Sequence, residues 1–187
     1  VTHSNTALFI ATRSIQLLVM SNLSPQYVND VANDFHTGTY LFHDNDIASF
    51  GNGQYGNMDA TVTAVLLNQE ARSPTLDTDA TFGSACEPLI KMMHFFRAME
   101  LRTANDSLRE LNLIHLDSKL GQEVYSAPSV FSSFLPEYRL VGPVMDKGLI
   151  SPEFMILDAP IVINYVNALV SLPYYGLTYC AGGEGLG

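Results

Sequence analysis

The sequence predicts an all-α fold: a single helical domain over residues 1–172, a long ordered Pro/Gly-rich belt between its helices, and a tail over 173–187. Three observations predict it. Apolar residues recur at helical spacing in several segments, and no alternating run is long enough to suggest a sheet. Capping residues stand ahead of those segments, as Ser24-Pro25 does. The stretch Ser126 to Phe154 is too broken by Pro128, Pro136, Pro143 and Pro152 to be one helix or a sheet strand, yet too apolar to stay solvated.

The first helix runs from an Asn5-Thr6 cap to about Met20, with Leu8, Ala11, Ile15 and Leu18 recurring at helical spacing. Ser24 caps the second, with Pro25 at its first position and Tyr27, Val28, Val31 and Phe35 as its inner face. Residues 36–56 read as a loop with a short strand or turn around Tyr40 to Phe42. A loop this long and structured is a place to look for function. The third helix spans about Asn57 to Ala71, with Met58, Val62, Val65 and Leu66 on one face. The fourth, about Cys86 to Leu101, carries the stripe Leu89, Met92, Met93, Phe96 and Met99. In the belt, Val130, Phe131, Phe134, Leu135, Tyr138, Leu140, Val144, Met145, Leu149, Ile150 and Phe154 are its expected anchors on a core. A last helix spans about Pro160 to Leu172, and just before it Ser151, Pro152 and Glu153 read as an N-cap, first helical position and first turn.

Composition narrows the function. A chain of 187 residues suits one domain, and 47% hydrophobic residues allow a sizeable core. Charged residues make up only 15%, against roughly a quarter in ordinary domains. The net charge of −10 argues against nucleic acid and anionic membranes, and fits cations, neutral glycans or a basic protein. No apolar run reaches the roughly 18 residues of a transmembrane helix. Beginning at Val1, the chain reads as a processed product or a fragment of something longer.

Chemistry-bearing residues are sparse. Gly51, Gly53 and Gly56 spell a G-x-G-x-x-G, but without a strand and a parallel βαβ setting they mark a turn. Asp44, Asp46 and Asp59, with His43, Asn52 and Asn57, offer clustered oxygen ligands of the kind calcium takes on irregular loops, although the spacing is not that of an EF-hand. No cofactor other than calcium is expected. Cys86 and Cys180 are compatible with one disulfide or with two buried thiols. Asn105-Asp106-Ser107 is a glycosylation sequon, and Asn22-Leu23-Ser24 is a second, weakened by Pro25. His94 lies beside an apolar stripe and reads as a packed histidine, while His115 and Asp117 lack metal spacing.

Several motifs, taken together and in order, resemble one family. His3-x-Asn5-Thr6, Phe9-Ile10-Ala11 with Arg13, and Ser21-Asn22-x-Ser24-Pro25-x-Tyr27-Val28 open the match. Asp59 to Arg72 with its LLNQEAR ending, then Glu87-Pro88-Leu89, continue it. Most specific are Leu120-Gly121-Gln122, Ala127-Pro128-Ser129-Val130-Phe131, Gly142-Pro143 and Gly148-Leu149-Ile150-x-Pro152-Glu153-Phe154. This arrangement resembles the C-terminal half of the large bacterial family called domain of unknown function 1800. Ser84-Ala85-Cys86 departs from the basic lead-in expected before Glu87. The resemblance implies a helical protein that is secreted, extracellular or periplasmic, preceded in its parent by an N-terminal half, and it carries over no catalytic residue. Two functions follow as expectations: a helical binding or structural module of an extracellular or cell-surface assembly, with protein partners or self-assembly, or an extracytoplasmic enzyme acting on a polymer or glycan.

Overall fold

A computed structural model describes residues 3–44, 46–74, 78, 79, 81–101 and 117–175, and the side chains of 43–47, 117 and 118 fall outside that description. The molecule is mostly helical with one small sheet, and it divides into two compact units, residues 1–84 and 85–187.

In the first unit, α1 (Thr6–Leu18), α2 (Pro25–Thr37) and α3 (Met58–Leu67) pack pairwise, and α4 (Gln69–Arg72) follows α3. Their core is Ala7, Ala11, Ile15, Met20, Tyr27, Val31, Ala32, Phe35, Ala64 and Val65. Alanine supplies four of these ten places because small side chains let helix axes approach. The inner face of α2 is as the sequence reads, and Ser24 caps it by accepting from Tyr27 N at 3.0 Å. The faces of α1 and α3 are as read at Ala11, Ile15 and Val65 and differ elsewhere. Leu8, Leu18, Met58 and Leu66 are exposed, while Ala7, Ala60, Thr61 and Ala64 are buried. Asn5 makes no side-chain cap, and α1 ends at Leu18. The long third helix is in fact two. Asn68 leaves helical geometry at ψ 146, and its Oδ1 accepts from Glu70 N at 2.8 Å to restart the chain as α4.

The loop reading of residues 36–56 is corrected by a β-hairpin. Strands β1 (Thr39–Asp44) and β2 (Asp46–Gly51) pair antiparallel, with Thr39 opposite Gly51 and Asp44 opposite Asp46. Gly38 starts it in the left-handed conformation, φ 69, and closes α2 with a 2.8 Å bond from its N–H to Asp34 O. A Cβ on Gly38 would run into the Gln54 carbonyl, so the returning chain at 51–56 threads closely past it. Gly53 N donates to Gly38 O at 3.0 Å, and Gly56 N to Phe35 O at 2.9 Å. The two strands lie against α3, the outcome expected for a hairpin too small to stand alone.

In the second unit, α5 (Pro88–Ala98) and α6 (Asp117–Leu120) precede the belt in sequence, α7 (Pro143–Asp146) lies within it and α8 (Ala159–Tyr175) follows it. Met92 and Phe96 of α5, Leu120 of α6, and Ala168 and Leu172 of α8 form its buried core, with Leu89, Met93, Phe95, Tyr165 and Leu169 packed on it. Met99, expected on the stripe, is exposed because α5 ends before it at Ala98.

The belt is ordered by different means than expected. Val130, Phe131, Leu135, Met145 and Phe154 are exposed rather than anchored. The belt is instead closed by backbone bonds at Ser151, which is buried with Pro152 and Glu153. Ser151 N donates to Tyr138 O at 2.8 Å, and its Oγ accepts from Leu140 N at 2.9 Å. Residues Pro152–Met155 form a separate 3₁₀ turn, so Ser151 and Glu153 do not start the last helix. That role falls to Asp158, whose Oδ1 accepts from Ile161 N at 2.8 Å. No helix among the described residues is long and apolar enough to cross a membrane.

Candidate functional site

A set of polar side chains ties α2, the end of α3, α4 and β1 together. Ser24 Oγ, besides capping α2, donates to Glu70 Oε1 at 2.7 Å. Tyr27 is fully buried and its hydroxyl donates to the Val65 carbonyl of α3. Burial, with Glu70 and Tyr40 nearby, pushes its phenol well up. Tyr40 of β1 donates to the Leu67 carbonyl at 3.2 Å and so fixes the hairpin to the end of α3. The Arg72 guanidinium stands 5.3 Å from the centre of the Phe42 ring, a second tie between β1 and α4.

Asp34 lies on the last turn of α2. Burial, and then the like charge of Asp30 one turn back, push its carboxyl up to about 6. Tyr40 responds to the same neighbourhood: burial first, then Asp34, raise its phenol, and Arg72 acts in the opposite direction. A carboxyl so placed takes up and releases a proton near neutral pH, which an exposed aspartate does not.

The second unit has a smaller polar node. Gln122 is buried, its Nε2 donating to Glu87 Oε2 at 2.6 Å and its Oε1 accepting from Leu89 N at 3.1 Å. It thereby satisfies one of the open backbone donors at the start of α5. Gly121 precedes it at φ 68, a conformation that turns the chain out of α6.

The residues singled out in the sequence are dispersed. Asp44 and Asp46 face each other as register partners at the end of the hairpin, and their side chains lie outside the described residues. Asp59 sits exposed in the first turn of α3. Asn52 and Asn57 serve the backbone: their side chains accept from Gln54 N at 3.0 Å and Ala60 N at 2.9 Å. Among the described residues no group of three or more His, Cys, Asp or Glu is placed to hold a metal ion. Cys86 is half-buried just ahead of α5, while Cys180, Asn105 and His115 lie outside the described residues. His94, read as packed, is exposed on α5. Gly51, Gly53 and Gly56 all take positive φ in the turns that lead from β2 to α3, and β2 belongs to an antiparallel hairpin, so the turn reading stands. Asp34 and Gln122 were missed. The signal for Asp34 was its i,i+4 spacing from Asp30 on a helix with an apolar opposite face.

The second unit also exposes large apolar side chains. Tyr125 is fully exposed at a positive φ of 60, and Val130 is nearly so. On α8, Val162, Ile163, Val166, Val170 and Tyr174 face away from the buried Ala168 and Leu172. Comparison with known proteins adds one finding. The family model described as a protein of unknown function, DUF1800, matches residues 1–165. No curated protein and no solved structure matches the chain. With most of its length matched in order, this chain belongs to the DUF1800 family.

Proposed function

We propose that the chain is a helical binding or structural module of an extracellular or cell-surface assembly, acting through a protein partner or another copy of itself. The outer face of α8 carries this reading. Ile163 is 60% exposed, Val166 51%, Val170 61% and Tyr174 80%. Ala159–Tyr175 contains no Asp, Glu, Lys or Arg, in a chain whose net charge is −10. A solvent-facing helix surface is ordinarily where charge accumulates, and a contiguous apolar one marks an interaction site. The spacing at 163, 166, 170 and 174 is that of a seam which packs against another helix or an apolar groove.

The test is to purify the protein under native conditions and determine its mass in solution and whatever co-purifies with it. The expected result is a complex, and Val166→Glu with Val170→Glu dissociates it while the melting temperature stays within a few degrees. A wild-type protein that is monomeric and alone at every concentration overturns the reading.

A further inference from the structure

We propose that α8 pairs antiparallel with α8 of a second copy of this chain, Ile163 of each copy against Tyr174 of the other and Val166 against Val170. This assignment rests on α8 being an interaction surface, and it names the occupant. The exposed stripe of α8 is nearly palindromic. Ile163, Val166, Val170 and Tyr174 run large, small, small, large along it. The midpoint of Ile163 and Tyr174 lies half a residue from the midpoint of Val166 and Val170. A two-fold axis beside residue 168 therefore lays the stripe on itself with both pairs in register. A two-fold contact requires this self-complementarity, since residue i meets j while j meets i. A groove on an unrelated protein imposes no such symmetry on the helix that fills it.

Charge selects both the occupant and its direction. Two chains of net charge −10 repel each other, and α8 is a helix that brings no ionisable acid or base to their contact. The charge just ahead of α8 is its cap, Asp158. A parallel pair would set two Asp158 carboxylates side by side and align the helix dipoles. The antiparallel pair puts them at opposite ends and opposes the dipoles. Asn167, exposed beside Val166, flanks the stripe near its midpoint. In an antiparallel pair the same flank of both helices meets, so the two Asn167 side chains come together. An amide offers both donor and acceptor and can bond its own copy, which a carboxylate or an ammonium cannot. One polar pair in an otherwise apolar helix contact fixes register. The 17 residues of α8 span about 25 Å, a contact at the small end of stable interfaces, so pairing depends on concentration.

Sedimentation of the purified whole chain over a wide concentration range tests the pairing. The expected mass rises toward twice the 20.5 kDa of one chain. Asn167→Asp sets two carboxylates against each other and weakens association by about tenfold or more. Disulfide trapping tests direction and register. The variants Ile163→Cys and Tyr174→Cys, each made with Cys86→Ser and Cys180→Ser, are oxidised separately and as a mixture. Bridged dimers that join residue 163 to residue 174 are expected, identified by intact mass. Dimers joined through the same residue should be at least tenfold scarcer, because those residues lie about 16 Å apart along the pair and a disulfide reaches about 7 Å. Same-residue bridges in the majority overturn the proposal, as does a dimer that Asn167→Asp leaves undiminished. A wild-type monomer that co-purifies with a different protein overturns self-pairing and leaves α8 as an interaction surface. A monomer that co-purifies with nothing overturns both.

Discussion

In the first unit Ala7, Ala11, Ala32 and Ala64 stand between helices among larger core residues such as Ile15, Tyr27, Val31 and Phe35, whereas the second core has one alanine, Ala168, among Met92, Phe96, Leu120 and Leu172. The difference has consequences for everything attached to each core. Close-packed alanines bring backbones within reach of one another, so tyrosine hydroxyls can bridge them: Tyr27 to Val65 and Tyr40 to Leu67. The first unit is thus specified by short polar ties between elements. A core of long side chains holds helices by volume, and the belt that follows it is ordered locally, by turns and by the Ser151 bonds. One unit is sensitive to added atoms, the other to removed ones.

The same glycine substitution separates the two most sharply. Gly38→Ala places a Cβ in a left-handed residue and against the Gln54 backbone, which has no rotamer through which to escape. We expect a loss of about 3 kcal/mol or more in the first unit, with the protection of 39–51 abolished. Gly121→Ala also sits at positive φ, but its Cβ meets Ile156 Cγ2, a side-chain methyl rather than backbone, which moves only by a χ1 change of the buried, β-branched Ile156. About 2 kcal/mol is expected there, the intrinsic cost of the conformation plus the displacement of Ile156. Equal losses, measured by denaturant unfolding with unit-resolved exchange, would erase the distinction.

Core volume gives the next largest contrast. Ala64→Leu overfills a 1%-exposed site between helices and should cost about 2 kcal/mol. Phe96→Leu removes atoms from the second core and should cost about 1 kcal/mol, since Met92 and Met93 beside it are flexible enough to fill part of the gap. The comparison fails if Ala64→Leu is silent, because that would mean the alanine interface contains spare room.

These contrasts also explain what could be read in the sequence. The inner face of α2 was legible because it is built from Tyr27, Val31 and Phe35, large residues at helical spacing. The faces of α1 and α3 were legible in part, at Ala11, Ile15 and Val65, while Leu8, Met58 and Leu66 lie exposed and Ala7, Ala60 and Ala64 take the buried places beside them. The hairpin was hidden by its surroundings: it lacks an Asn-Gly type turn, and glycines at 51, 53 and 56 gave the segment the composition of a loop. The belt's prolines and glycines correctly announced turns. Its buried residues, Ser151, Pro152 and Glu153, were set by tertiary hydrogen bonds that no local pattern encodes. Asp34 was legible as half of a like-charged pair with Asp30, but its partial burial was not.

The smallest effect separates local from tertiary capping. Both α2 and α8 begin with a side-chain cap: Ser24 accepts from Tyr27 N at 3.0 Å, and Asp158 from Ile161 N at 2.8 Å. Removing either to alanine loses a cap, about 1 kcal/mol. Ser24 does more, because its hydroxyl proton goes to Glu70 Oε1 at 2.7 Å and ties α2 to α4. A hydrogen bond to a carboxylate is stronger than a neutral one, though partial exposure weakens it here. Ser24→Ala should therefore cost about 1.5 kcal/mol and Asp158→Ala about 1 kcal/mol. Ser24→Asp isolates the difference: aspartate caps as well as serine but carries no proton to give, and it sets a second negative charge against Glu70. That variant should be no more stable than Ser24→Ala, and adding Glu70→Gln should recover most of its loss by restoring a donor opposite the new carboxylate. If Ser24→Asp instead matches the wild type in thermal unfolding, the Glu70 tie contributes nothing, and the two helix starts are equivalent after all.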